Sequence, residues 1–171
     1  MTIVEEHKPE YRKYYYESDK LHRADGPAVE WANGTKEWWL NGKRHRADGP
    51  AVEHWTGRKE WWWNGKRHRK DGPAIIYQLI DHPIGDKAWY YHGQRHRADG
   101  PAIEYADGRK SWYVRGKHHR IDGPAEEYPN GTKEWYVNGK LHREDGPARD
   151  LAMGRKEWWT NGQKISTNQQ A

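Results

Sequence analysis

The heptapeptide HRADGPA, or a one-residue variant of it, begins at His22, His45, His68, His96, His119 and His142, in steps of 23, 23, 28, 23 and 23 residues. A fixed period of this length excludes most ways of folding a chain. Each repeat is one supersecondary unit, too small to bury its own apolar face, and is completed by stacking on its neighbours. The single 28-residue step places a five-residue insertion after His68.

Composition supports the array rather than a compact aliphatic core. Hydrophobic residues make up 33% of the chain and charged residues 32%, a balance that alone would favour disorder. The apolar area is concentrated in 12 Trp and 11 Tyr, and Phe is absent. Each such ring can bury about 150–250 Å², so an aromatic seam can stand in for a core. Net charge is +5, but cations and anions alternate within every repeat, which reads as a solvated surface before a polyanion-binding one. With no cysteine, disulfides and thiolate metal sites are excluded.

Numbered from its His, the repeat has Lys nine positions earlier (Lys36, Lys59, Lys87, Lys110) and Trp seven earlier (Trp38, Trp61, Trp89, Trp112). Asn-Gly follows at Asn41-Gly42, Asn64-Gly65, Asn138-Gly139 and Asn161-Gly162, a strong signal for a two-residue hairpin loop. A second turn recurs at Asn33-Gly34, Asp107-Gly108 and Asn130-Gly131. Each unit therefore reads as two short antiparallel strands and two turns, and the chain as a β-meander. Two-residue loops would set Trp38 opposite both His45 and Val29, which a straight strand of period two cannot do. One residue must be absorbed, and Asp-Gly-Pro is the expected place, with Gly allowing the kink and Asp pairing with Arg or with backbone donors. HRxDGP thus reads as a structural corner.

The unit KEWWLNGKRHRADGPAVEWANGT resembles the MORN repeat in its bacterial and viral variant, over about residues 13–165, although HRxDGPA replaces the more familiar His-Gly-x-Gly bend. The resemblance implies an all-β fold: an elongated, single-layer antiparallel β-meander of about six 23-residue hairpin repeats. Residues 1–12 form an N-terminal segment before the array, and residues 166–171 read as a disordered tail. It also implies a scaffold or binding role, of the kind found in antitoxins, immunity proteins and viral counter-defence inhibitors.

No catalytic constellation stands out. Ser is scarce and Cys absent, and the carboxylates recur as cross-strand partners of Lys and Arg, so the chain reads as a non-enzyme. Equivalent His residues of neighbouring repeats lie two strands apart, about 9.5 Å, too far to share a metal ion. No cofactor is expected. The insertion, IIYQLIDHPIGDK, brings Leu79, Ile80, Asp81, His82 and Ile84 to one long loop in a chain poor in aliphatics, and marks the expected contact with a protein partner. The alternative is a single-stranded nucleic-acid or nucleotide surface made by Lys36, Trp38, Lys59, Trp61, Lys87, Trp89, Lys110 and Trp112, set on one face by parity. A third reading is a homo-oligomer joined by sheet edges. From Val29, Val52, Ile75 and Ile103 the sequence drifts to Glu126 and Arg149, predicting a wetter face in the C-terminal third. MTIVEEHKPEY lacks the apolar run of a signal peptide and no apolar stretch spans a membrane, so the expected location is cytoplasmic, the host cytoplasm if the chain is viral.

Overall fold

A computed structural model describes residues 3–7, 12–78 and 85–165. The fold is all-β, with no helix among the described residues and so none long and apolar enough to cross a membrane. Contacts divide the chain into two units, residues 1–93 and 94–171. Both are antiparallel meanders of hairpin repeats.

In the first unit the strand Ile3–His7 pairs with Arg12–Glu17, adding a strand ahead of the repeats. Pairing then runs from Tyr14 to Val29, Val29 to Glu37, Glu37 to Val52, Val52 to Glu60, Glu60 to Ile75 and Ile75 to Ala88. In the second unit the corresponding row is Ile103, Ser111, Glu126, Glu134, Arg149 and Glu157. These rows form the interior face. Val29, Val52, Ile75 and Ile103 are buried, and so are Glu37, Glu60, Glu126, Glu134 and Glu157.

The first repeat keeps a continuous strand, Arg12–Glu17, whereas each later hairpin breaks its strand at the Trp. Lys36–Glu37 belongs to the wide sheet, whereas Trp39–Leu40 pairs with Lys43–Arg44 in a separate hairpin. Trp38 is the hinge: its N–H donates to the Ala51 carbonyl at 2.8 Å and its carbonyl accepts from His45 at 3.1 Å. The hairpin loop is the expected two-residue turn, with Asn41 at φ 50° and Gly42 at φ 74°.

The second turn differs from expectation. Trp31 donates to Thr35 across three loop residues, and the pairing sets Val29 opposite Glu37 rather than Trp38. The extra residue is absorbed in this loop, where Gly34 takes φ 87°, and not at Asp-Gly-Pro. That resolves the parity conflict. The insertion changes the loop and nothing else: Tyr77 N–H donates to Asp86 as Trp31 does to Thr35, and Ile75 still faces Ala88.

At the corner, glycine serves a close approach. A Cβ on Gly26 or Gly49 would fall 2.8 or 3.0 Å from the guanidinium carbon of Arg23 or Arg46. The other face of each guanidinium lies on an aromatic ring, 4.1 Å from Tyr15 and 4.0 Å from Trp38. Arginine is thus held between a bare backbone and a ring, with Asp25 and Asp48 hydrogen-bonded to its Nε at 2.9 and 3.0 Å.

Candidate functional site

The histidines join repeats. Nδ1 of His22, His45 and His68 accepts the backbone N–H that opens the next hairpin loop, at Asn41, Asn64 and His92 (3.2, 3.3 and 3.2 Å). His119 and His142 do the same with Asn138 and Asn161 in the second unit. At His22 and His45 the side-chain oxygen of the same asparagine lies equally close to Nδ1, 3.1 and 2.9 Å, so the other tautomer would donate to that oxygen and tie the same two repeats. The His45 ring also lies against Trp63 of the following hairpin, with ring centroids 4.2 Å apart.

The buried carboxylates follow a compensation rule. Glu37 accepts from Trp31 Nε1, Trp39 Nε1 and Arg44 Nε at 3.2, 3.0 and 3.1 Å. Where Ser111 replaces the acid, Glu126 on the neighbouring strand supplies it, bonded to Ser111, Arg109 and His118. Burial alone would raise the Glu126 carboxyl, but the bonds from His118, Arg109 and Ser111 together hold it below the ordinary range. Glu134 accepts from Tyr136 at 2.8 Å and from Arg149 at 2.8 Å. At Glu126 the drift does not make the face wetter, since the residue is 2% exposed among complementary partners, whereas at Arg149, with its side chain 35% exposed, the face is wetter as expected.

The lysines and tryptophans of the sequence-based face are placed differently from one another. Lys36, Lys59, Lys87 and Lys110 are exposed on the outer side of the sheet. Trp38, Trp61, Trp89 and Trp112 are half-buried at the strand break. The cation over the ring is the corner arginine, Arg46 over Trp38, Arg69 over Trp61 and Arg120 over Trp112, at 4.0, 3.9 and 4.2 Å. Lys36 sits in register between Glu30 and Glu53, and Lys59 between Glu53 and Ile76, so most of the lysine row is interleaved with acid.

Of the six large hydrophobic residues left exposed among the described ones, four are aromatics of the second to fourth repeats: Trp55, Trp63, Tyr77 and Tyr91. They fall at the two ends of the strands. Trp55 and Tyr77 occupy the second-turn end, where Gly57 of the Trp55 turn lies against Gln78. Leu79, Ile80, Asp81, His82 and Ile84 lie outside the described residues, but Tyr77, Gln78, Gly85 and Asp86 fix both feet of their loop. A Cβ on Gly85 would overlap the Tyr77 carbonyl, which explains glycine there. Trp63 and Tyr91 flank a cavity of about 640 Å³ at the hairpin end. Nothing in the sequence singled out this cavity, since it is assembled from consecutive corners.

No family model matches the chain, and no curated protein matches it.

Proposed function

We propose that the chain is a non-enzymatic repeat module that binds a protein partner at the second-turn end of its second and third repeats. The observation that carries this reading is the pair Trp55 and Tyr77, 52% and 37% exposed beside the base of the inserted loop. Large rings left in solvent next to a loop enlarged without disturbing the sheet fit an interface anchor better than a fold element. The MORN-like repeat is consistent with a rigid support of this kind, and an inhibitor of the antitoxin, immunity or viral counter-defence type is the form of binding that the resemblance suggests. A nucleic-acid surface along the whole lysine row is the weaker reading, because Glu30 and Glu53 interleave with those lysines.

The test replaces residues 78–85 with Ala-Asn-Gly, the loop of the first repeat, alongside the double variant W55S/Y77S. Both should retain the melting temperature and lose the complex captured from cells. Capture of the same partner by both variants would refute the site.

A further inference from the structure

The third corner differs at two residues, one change removing a negative charge and the other adding a positive one. Every corner arginine is followed seven residues later by an acid, Glu30, Glu53, Glu104, Glu127 or Asp150, except Arg69, which is followed by Ile76. In the first two repeats that acid reaches the guanidinium, Glu30 at 3.4 Å from Arg23 and Glu53 at 2.9 Å from Arg46. Lys70 also stands where the first, second and fourth repeats have alanine.

The geometry changes with the sequence. Arg69 keeps the stacking on Trp61, 3.9 Å, and one bond to the Pro73 carbonyl, 3.3 Å. It forms no ion pair among the described residues, and Asp71 does not hydrogen-bond its Nε as Asp25 and Asp48 bond theirs. A guanidinium covered on one side by a ring, whose remaining N–H donors face solvent rather than a protein carboxylate, is arranged as an anion receptor. It lines the cavity together with Lys70, His68, Arg46 and two acids, Asp48 and Asp71; Asp48 and Glu53 neutralise Arg46 at 3.0 and 2.9 Å, which leaves Arg69 and Lys70 against Asp71 alone. Burial, then the charges of His92 and Lys70, hold the His68 ring below its ordinary pKa, in keeping with a positive local field. Trp63 and Tyr91, 43% and 48% exposed, stand at the mouth; His45 lies against Trp63 and His68 and His92 against Tyr91, with ring centroids 4.2, 4.8 and 4.4 Å apart, and the rest of each ring faces the cavity.

We propose that this cavity binds a phosphate monoester carried on a planar ring, a nucleoside monophosphate being the simplest example, with Arg69 and Lys70 on the phosphate and Trp63 or Tyr91 against the ring. The volume falls within the range of about 300–1,000 Å³ typical of small-molecule sites. Each arm of the ligand meets its chemical complement: oxyanion on fork-shaped guanidinium, planar ring on exposed indole or phenol. The site lies at the hairpin end, independent of the Trp55–Tyr77 surface, so either can fail alone.

The decisive variant is Ile76→Glu, which restores the acid present at the other corners and should preserve the fold. AMP titrated into the full chain at low salt, followed by calorimetry and tryptophan fluorescence, should bind saturably. I76E and R69Q should each weaken it by at least about tenfold, the loss expected of a charge-assisted contact. W63A should weaken AMP but not inorganic phosphate. Unchanged AMP affinity in I76E, or no saturable binding of AMP below about 1 mM (the weak end of recognisable affinities), would overturn the proposal. Benzoate binding as tightly as AMP would overturn the assignment to a phosphate, and inorganic phosphate binding as tightly would overturn the role of the ring.

Discussion

The guanidinium carbon of Arg46 stands 4.0 Å from the centroid of the Trp38 ring, and the α-carbon of Gly49 closes the opposite side. This sandwich explains why Arg and Gly recur together: the cation fills the space a side chain on Gly49 would need. Gly49→Ala should push Arg46 off the ring and destabilise the protein by about 1–2 kcal/mol. Urea unfolding of G49A, R46A and the double variant measures it. The two changes should be strongly non-additive, and simple additivity would refute the sandwich.

Glu37 and Arg44 form a part-buried pair, the carboxylate 8% exposed and bonded to Arg44 Nε and Nη2 at 3.1 and 3.0 Å. Arg44→Ala leaves the anion with its two indole donors and should cost about 2–3 kcal/mol. The first repeat carries Tyr14 and Leu21 at these two positions, so an apolar pair is compatible with the fold. E37L/R44L should accordingly be more stable than R44A, a comparison that chemical denaturation decides.

Two side chains give separate pH windows. His68 has its folded pKa lowered from 6.5 by burial and by the charges of His92 and Lys70, so the unfolded chain takes up its proton first. Its contribution is complete above the unfolded value and is lost as pH falls through the folded one. Glu157 is held down to about 2, chiefly by the hydrogen bond from Lys164, so its contribution is present above about 4.5 and declines toward pH 2. Stability measured against pH should lose the upper step in H68Q and the lower step in E157Q, each leaving the other in place. Parallel curves for wild type and variants would contradict the assignments.

Arg115 occupies the left-handed turn position, φ 49°, that asparagine fills in most other hairpins. Arg115→Asn should stabilise the protein by about 0.5–1 kcal/mol by removing the penalty on a long side chain there. A rise in melting temperature of a few degrees would accompany it.

The meander and the hairpin turns were legible because local chemistry fixes them. Asn41-Gly42 takes its two positive φ values in isolation from the rest of the fold, and the 23-residue period repeats the instruction. The corner was legible as a corner, but its mechanism was not. Counting residues located the extra one at Asp-Gly-Pro, whereas Gly34 absorbs it, because hairpins with two- and three-residue loops differ by one in register and their sequences look alike. The Lys36–Trp38 face was drawn by alternation through a strand that in fact breaks at Trp38. Alternation holds only while the ladder is continuous.

The order of repeats, the antiparallel meander and the site of the insertion were written in the chain's own periodicity, since they depend on residues a few positions apart. Which cation covers which ring, and which histidine holds which neighbouring loop, came from stacking of one repeat on the next. So did the burial of Glu126, which looks like a wet position until Arg109, Ser111 and His118 converge on it. The cavity at Arg69 belongs to the same class. Its charge arises from one acid replaced by Ile76 and one alanine replaced by Lys70, but those replacements matter only because folding brings two successive corners together around the cavity.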